Sequence, residues 1–260
     1  NHMFEKIKCF ILDMDGTIYL GNELFSFTKD FLKKVDETGR KYYFFTNNSS
    51  KSQQDYIEKL ERFGIRIKRQ QMMTSTHVIS RYLKQHYEGK SVYVLGTPSL
   101  IQEFQYFDMN LTEEDPDIVV LGFDTTLTYE KLSKACHYIR NGCIYFGINP
   151  DWNCPMEGGA FIPDCGSIAK LIEASTGRFP EFFGKPSKHT LDYIIQETGY
   201  EPDEIAIVGD RLYTDIAVAD QSDVTSILVL SGESTREDVK TSDVKPDVIL
   251  EDLSEITKML

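Results

Sequence analysis

The chain has 260 residues, of which 41% are hydrophobic, so it is long enough for one large globular domain or for two unequal ones. Its formal net charge of -13, without a cluster of lysine and arginine, argues against a surface built to bind nucleic acid or an anionic membrane. No apolar run approaches the roughly 18 residues that cross a bilayer, and the five cysteines form no CxxC pair, so we expect a cytoplasmic protein with reduced thiols.

The elements predicted along the chain alternate between strands and helices. Apolar runs predict strands at 10–15, 42–48, 91–96, 117–123, 143–149, 204–210, 225–232 and 247–250. Apolar residues at helical spacing predict helices at 51–63, 74–88, 129–141, 167–175, 188–197 and 254–260. This alternation is typical of an α/β fold with a doubly wound, mainly parallel sheet.

The chain between the second predicted strand and residue 185 is too long for a single crossover connection, which needs about 30 residues. The strand-rich piece inside it has its own helices, and it contains a loop at 149–167 that is rich in glycine and proline. We therefore predict a Rossmann-like catalytic core over 4–87 and 180–260, with an inserted α/β cap domain over 88–179.

Three predicted strands end in polar residues at the point where the chain leaves the sheet. The first ends in "DMDG", with Asp13 and Asp15, the second in "TNN", with Thr46 and Asn47, and the third in "GD", with Asp210. In open α/β sheets, ligands bind at the carboxyl ends of the strands. We expect these three ends to form one site.

Two carboxylates two residues apart would repel each other unless a cation lies between them. Mg²⁺ prefers one or two carboxylates together with a phosphate oxygen and waters. With the metal in place, one of Asp13 and Asp15 can attack phosphorus as a nucleophile, and the other can transfer the proton. The alternative is an ordinary surface turn, in which aspartate and glycine are both common.

The next polar segments supply groups that suit a phosphate. Thr46 and Asn47 can donate hydrogen bonds at the entry to a helix, although the serines that follow them could simply cap that helix. Lys185, in "GKP", can neutralise a nucleophile and a phosphoryl group together, although an isolated lysine is more often a solvated surface residue.

The segment "IAIVGDRLYTDIA" carries two further acids. Asp210 follows a wholly apolar strand and is a candidate third metal ligand. Asp215 could contact a metal-bound water or orient Lys185. It could also merely complement the dipole of the helix that it begins.

The four motifs DxDGT, TNN, GKP and GDxxxxD, in this order, resemble those of the haloacid dehalogenase (HAD) superfamily of phosphohydrolases. The insertion is similar to the α/β (C2-type) cap of its NagD-like branch, subfamily IIA, and the resemblance covers essentially the whole chain. It implies that Asp13 is nucleophile and metal ligand, and that Asp15 is the acid/base and binds metal through its carbonyl oxygen. The remaining residues implied for phosphate and metal are Thr46, Asn47, Lys185, Asp210 and Arg211 to Thr214.

The function implied by the resemblance is Mg²⁺-dependent hydrolysis of a small phosphate monoester, such as a sugar phosphate, through an aspartyl-phosphate on Asp13. The partner is then a small phosphorylated metabolite, with no nucleic acid and no membrane. The resemblance is also compatible with a homodimer that forms through the cap. A phosphomutase with the same core chemistry and a non-catalytic phospho-acceptor or binding module stay open as alternatives.

Overall fold

A computed structural model describes residues 2–260, which form two compact units. The first unit contains the chain up to Thr46, Ile57–Met73 and Lys185–Leu260, and the second contains Asn47–Tyr56 and Thr74–Gly184. The predicted cap, 88–179, falls within the second unit. The predicted boundaries, 4–87 and 180–260 for the core and 88–179 for the cap, stay a prediction.

The strands and helices are numbered here in chain order. The strands are β1 (Cys9–Leu12), β2 (Tyr19–Leu20), β3 (Glu23–Leu24), β4 (Lys41–Thr46), β5 (Met72–Thr74), β6 (Val92–Leu95), β7 (Ile118–Leu121), β8 (Ile144–Gly147), β9 (Asn153–Pro155), β10 (Phe161–Pro163), β11 (Glu181–Phe182), β12 (Ile205–Gly209), β13 (Thr225–Val229) and β14 (Val248–Leu250). The α-helices are α1 (Thr28–Glu37), α2 (Gln53–Arg62), α3 (Ser75–His86), α4 (Pro98–Tyr106), α5 (Tyr129–Arg140), α6 (Cys165–Thr176), α7 (Lys188–Thr198), α8 (Arg236–Thr241) and α9 (Leu253–Met259). Shorter turns of 3₁₀-helix lie at His2–Phe4, Arg69–Gln71, Glu157–Gly159, Pro202–Glu204 and Ala217–Ala219, and a π-helical turn lies at Leu212–Ile216.

The first unit is built on a six-stranded sheet with the order β14-β13-β12-β1-β4-β5. Its strands from β14 to β4 run parallel, and every residue of β1 and β12 is buried. Parallel strands covered on both faces must be apolar throughout, which explains the unbroken apolar runs of the sequence. The chain leaves β1 toward β4 on one side and later returns to β12 on the other. The sheet therefore has its topological switch point at β1, as the predicted doubly wound fold requires.

The second unit has its own four-stranded parallel sheet with the order β11-β8-β7-β6. Side chains from this sheet, α5 and α6 form one buried cluster that includes Leu95, Val119, Leu121, Ile139 and Ile172. An antiparallel pair, β9 with β10, is formed by the loop that is rich in glycine and proline. The second unit thus contains a hydrophobic core of its own.

Each run predicted to be a strand overlaps one, and each predicted helix is present with slightly different ends. The sequence reading did not predict the short strands β2, β3, β5, β9, β10 and β11, because two or three residues are too few to show an alternating pattern. It also omitted α1, α4 and α8. Among residues 2–260, the structure has no helix with both the length and the apolar character needed to cross a bilayer.

Candidate active site

The carboxyl end of β1 places Asp13 beside two neighbouring strands. Leu12 is paired with Val208 of β12 and with Phe44 of β4, and the backbone N–H of Asp13 donates to the carbonyl of Val208 at 2.9 Å. Because these strands are parallel, β12 delivers Asp210 and β4 delivers Thr46 at the same edge of the sheet. The order of the strands explains why residues so distant in sequence meet.

Three acidic side chains converge at this edge. Asp13, Asp210 and Asp215 each offer a carboxylate oxygen, and these oxygens all lie within 4.8 Å of one another. Asp210 and Asp215 are almost completely buried, with 3% and 1% of their surface exposed. Such crowding of acids is unfavourable unless positive charge is close by.

Lys185 provides one positive charge for this group. Its Nζ lies 2.5 Å from Oδ1 of Asp215 and 3.2 Å from Oδ1 of Asp13, and its side chain is 4% exposed. The two roles considered for Asp215 both have a geometric basis, because it contacts Lys185 and also belongs to the group of three acids.

The pKa values of the group reflect burial and the neighbouring charges. Burial would raise the pKa of Asp13, but Lys185 and Arg211 outweigh it, so this pKa lies below its ordinary value. Burial, followed by the charges of Asp13 and Asp215, holds the pKa of Asp210 well above its usual range. Burial and then Asp13 raise the pKa of Asp215 to about 7. For Lys185, burial would lower the pKa, but Asp13 and Asp215 raise it further.

The carboxylate of Asp210 is enclosed by backbone. Its Oδ2 accepts the N–H of Glu233 at 2.8 Å. A Cβ atom added to Gly16 or Gly232 would lie 2.3 or 2.1 Å from that same oxygen, so only glycine fits at either position. At Gly16 the backbone φ of +86° favours glycine as well. The loop after β13 therefore fixes Asp210, a role that the sequence reading missed.

The other oxygen of Asp210 bears on whether the site fits a cation. Its Oδ1 is buried and has no hydrogen-bond partner among the residues that the structure describes. A buried carboxylate oxygen without a partner is costly, and a cation would satisfy it. The candidate metal ligands, from Asp13, Asp210 and Asp215, are all carboxylate oxygens, which suit a hard divalent ion such as Mg²⁺. The residues present thus fit such an ion.

Asp15 points its carboxylate elsewhere. Its Oδ1 accepts the backbone N–H of Gly21, in the hairpin of β2 and β3, at 3.0 Å. The sequence predicts a cation between the side chains of Asp13 and Asp15, but the group of three acids found among residues 2–260 does not include Asp15. A contribution of Asp15 to a metal through its backbone carbonyl, as the resemblance implies, stays a prediction.

The remaining predicted site residues fall into both units. Thr46 and Thr214 are buried in the first unit, with 8% and 3% exposed. Arg211 lies next to Asp210, and its Nε is 3.8 Å from the Glu233 carboxylate. Asn47 is assigned to the second unit, where its Nδ2 donates to Oδ1 of Asp151 at 3.0 Å. The binding of phosphate by these four residues stays a prediction.

Comparison with known proteins agrees with the motifs. A family model described as haloacid dehalogenase-like hydrolase matches residues 10–110, and a second, described as HAD-hydrolase-like, matches residues 182–256. The acid sugar phosphatase of Staphylococcus aureus strain MRSA252 is 34% identical over 96% of this chain and 97% of its own.

Solved structures of similar proteins cover nearly the whole chain. The 4-nitrophenylphosphatase of Thermotoga maritima is 42% identical, covers 99% of both chains and superposes with a TM-score of 0.95. NagD from E. coli K-12 is 30% identical, covers 96% of this chain and 98% of its own, and superposes with a TM-score of 0.88. The chain therefore belongs to the haloacid dehalogenase-like hydrolases, and within them to the NagD-like branch of phosphatases.

Proposed function

We propose that this phosphatase hydrolyses small phosphate monoesters in a Mg²⁺-dependent reaction that passes through an aspartyl-phosphate on Asp13. The observation that carries the proposal is the environment of Asp13, at the switch point of the sheet. It is held 3.2 Å from the Lys185 ammonium, with a lowered pKa, beside the unsatisfied oxygen of Asp210. An ionised carboxylate next to a fixed cation is suited to attack a phosphoryl group.

Mg²⁺ would be held by the carboxylates of Asp13 and Asp210 and by the backbone carbonyl of Asp15. When bound, it would neutralise negative charge on the phosphoryl oxygens. The unpartnered Oδ1 of Asp210 and the wholly oxygen donor set support this assignment. The backbone N–H of Glu233 donates to the other oxygen of this carboxylate, Oδ2, at 2.8 Å.

The protein's own residues would carry both halves of the reaction. An oxygen of Asp13 attacks phosphorus, the bond to the ester oxygen breaks, and Asp15 gives its proton to the departing alcohol. Asp15 then takes a proton from a water that attacks the same phosphorus, which releases phosphate and regenerates the Asp13 carboxylate. Lys185 balances the charge of Asp13 and the phosphoryl group, while Asp215 holds Lys185 in place.

The phosphoryl oxygens would be bound by Thr46, Asn47, Arg211 and Thr214. The similarity to the acid sugar phosphatase of Staphylococcus aureus supports a sugar phosphate or a similar small metabolite as substrate. The nitrophenylphosphatase relative supports tolerance of simple aryl esters. We also propose that a homodimer forms through the predicted cap, 88–179, with the core over 4–87 and 180–260.

The test is release of inorganic phosphate from a panel of phosphorylated metabolites and p-nitrophenyl phosphate with Mg²⁺, for the wild type and for Asp13→Asn. We expect release from several monoesters, which is abolished by chelator and by the substitution. Equal activity of the two proteins would refute Asp13 as the nucleophile. Recovery of an isomeric phosphate ester in place of inorganic phosphate would favour the mutase alternative.

A further inference from the structure

A loop at residues 231–234, which we call the β13 loop, follows strand β13 and lies against Asp210. The N–H of Glu233 donates to Oδ2 of Asp210 at 2.8 Å, and the N–H of Ser234 donates to the Asp210 backbone carbonyl at 3.1 Å. Gly232 has no side chain at the point where a Cβ atom would lie 2.1 Å from Oδ2. The β13 loop therefore contacts both the backbone and the side chain of Asp210.

The first residue of the β13 loop also contacts the turn that carries Asp13 and Asp15. The hydroxyl of Ser231 donates to the backbone carbonyl of Gly16 at 2.8 Å. These two residues are 215 positions apart in the sequence, and both belong to the first unit. The bond is thus a tertiary contact that joins the β13 loop to the turn after β1.

The turn after β1 is itself closed by backbone hydrogen bonds. The carbonyl of Met14 accepts the N–H of Thr17 at 3.1 Å and the N–H of Ile18 at 2.9 Å. The N–H of Gly16 donates to the carbonyl of Tyr19 at 2.7 Å. Because these bonds hold the turn together, a contact with the Gly16 carbonyl restrains the turn as a whole.

Gly16 and Gly232 both lie against the carboxylate of Asp210. A Cβ atom on Gly16 would lie 2.3 Å from Oδ2 of Asp210, and a Cβ atom on Gly232 would lie 2.1 Å from the same oxygen. Ser231 precedes Gly232 in the chain and is hydrogen-bonded to Gly16, so its hydroxyl keeps the two glycines close to each other. Without that bond the turn and the β13 loop could separate, and the carboxylate would lose its close fit.

The second oxygen of this carboxylate, Oδ1 of Asp210, has no hydrogen-bond partner among residues 2–260. A ligand that is already held in place binds a cation more tightly than one that must first be ordered. We propose that Ser231 is a positioning residue of the metal site, whose hydroxyl holds Gly16 against the β13 loop and so keeps the Asp210 carboxylate beside Asp13. This inference rests on the proposed function, in which Asp13 and Asp210 hold Mg²⁺. Ser231 acts through Gly16 and Asp210 and is assigned no contact with the metal or the substrate.

The experiment measures Mg²⁺ binding to the substrate-free protein by isothermal titration calorimetry, for Ser231→Thr and Ser231→Val. Threonine and valine have nearly the same size and shape, but only threonine keeps a hydroxyl that can donate to Gly16. We expect the Mg²⁺ dissociation constant of Ser231→Thr to stay within about threefold of the wild type, and that of Ser231→Val to rise by about 5- to 20-fold. Equal dissociation constants for the two variants would overturn the proposal.

Activity toward p-nitrophenyl phosphate separates positioning of the metal ligand from a general loss of function. At saturating Mg²⁺ the bound ion itself orders the Asp210 carboxylate, so kcat of Ser231→Val should stay within about threefold of the wild type. The Mg²⁺ concentration for half-maximal rate should rise together with the dissociation constant. A large fall in kcat at saturating Mg²⁺, with an unchanged Mg²⁺ requirement, would contradict the proposal.

A double-mutant cycle with Gly232→Ala tests whether Ser231 acts through Asp210. The methyl group of Gly232→Ala would lie against Oδ2, so the carboxylate is already displaced in this background. Ser231→Val should then raise the Mg²⁺ dissociation constant by less than about twofold, because no close fit is left to maintain. The same rise in both backgrounds would show that Ser231 acts independently of Asp210, and the proposal would fail.

Ser226→Ala is the matched control, because Ser226 is a buried serine of β13 with a hydrogen-bonded hydroxyl of its own. That hydroxyl accepts the N–H of Asp247 at 3.0 Å. We expect a lower unfolding midpoint and an unchanged Mg²⁺ dissociation constant. A rise equal to that of Ser231→Val would mean that loss of any hydroxyl near β13 loosens the site, which contradicts a specific role for Ser231.

Asp210→Asn distinguishes failure of this inference from failure of the proposed function. If Asp210→Asn weakens Mg²⁺ binding while Ser231→Thr and Ser231→Val bind Mg²⁺ equally well, only the positioning role fails. If Asp210→Asn binds Mg²⁺ as tightly as the wild type, the metal site of the proposed function fails, and the positioning role that rests on it fails as well.

Discussion

Two groups of buried or partly buried carboxylates, one in each unit, are surrounded by different partners. In the first unit, Asp13, Asp210 and Asp215 crowd within 4.8 Å of one another, and a lysine ammonium is their nearest cation. In the second unit, Asp151 and Asp164 each accept a hydrogen bond from the neutral amide of Asn149. Burial of an acid is therefore not by itself a sign of catalysis. The contacts of the carboxylate oxygens distinguish a catalytic role from a structural one.

The difference has an electrostatic basis. Carboxylates that face one another raise each other's pKa and gain from a cation, whereas carboxylates that face N–H donors are stabilised by hydrogen bonds. In the first group, Oδ1 of Asp210 has no hydrogen-bond partner among residues 2–260. In the second group Asp164 also caps helix α6 by accepting the N–H of Cys165 at 2.6 Å, a structural role.

The largest effect should come from removing the cation of the first group. Lys185→Met removes the ammonium group that contacts Asp13 and Asp215. The nucleophile and the phosphoryl oxygens then lose the positive charge that balances them. We expect kcat to fall by about 10³-fold or more, measured as phosphate release at saturating Mg²⁺. Lys188→Met, at an exposed position on α7, is the control and should be unaffected. Retention of a tenth of the wild-type rate by Lys185→Met would contradict the assigned role.

Displacing Asp210 should weaken metal binding. A methyl group at position 232 would lie 2.1 Å from Oδ2 of Asp210, so Gly232→Ala must shift this carboxylate or the loop. We expect the Mg²⁺ concentration for half-maximal activity to rise by about 10- to 100-fold. Gly39→Ala is the control, because an added Cβ there meets no atom within 4 Å while its φ of +79° still strains the backbone. It should lower stability without changing the Mg²⁺ requirement.

The crowding of acids in the first group also predicts proton release on metal binding. The pKa of Asp210 is raised by burial and by its acidic neighbours, and that of Asp215 is raised to about 7. A carboxylate with a raised pKa keeps its proton to a higher pH than an ordinary aspartate, and Mg²⁺ must displace that proton where it binds. Affinity should therefore fall by about tenfold per pH unit below the raised pKa, for each proton displaced.

Isothermal titration of Mg²⁺ in two buffers with different heats of ionisation measures this release directly. We expect different heats in the two buffers near pH 6.5 and a smaller difference near pH 8.5. Heats that do not depend on the buffer at pH 6.5 would show that the acids are already ionised, and would contradict the pKa argument.

The smallest effect on activity is expected at Asp164 of the second group. Asp164→Ala removes the cap of α6 and one partner of Asn149, so the free energy of unfolding should fall by about 1–3 kcal/mol. Urea unfolding checks the loss, and the Mg²⁺ requirement should stay as in the wild type. A changed Mg²⁺ requirement with unchanged stability would reverse the contrast between the two groups.

Most strands of the two parallel sheets could be predicted from the sequence. A parallel sheet is buried on both faces, so its strands consist of unbroken apolar runs. The acids of the first group were also visible, since Asp13 and Asp210 directly follow such runs. Helix α1 could have been found as well, because Phe31, Leu32 and Val35 share its buried face.

Other features depend on tertiary contacts that no local pattern reports. Gly232 encloses Asp210 only because the loop after β13 folds over the end of β12, and a serine-glycine pair predicts no more than a turn. Likewise, nothing in the spacing of Asn47, Asn149 and Asp151 reveals that their amides and carboxylate meet. The fold creates these neighbours, so they become visible only in three dimensions.

The most direct test of the account is capture of the phosphorylated enzyme. The protein is mixed with Mg²⁺ and excess p-nitrophenyl phosphate, quenched in acid within one turnover, digested and analysed by mass spectrometry. We predict one added phosphoryl group on the peptide that contains Asp13, which is absent from the Asp13→Asn protein. Turnover of the wild type with that peptide unmodified, or with the phosphoryl group on another residue, would contradict the account.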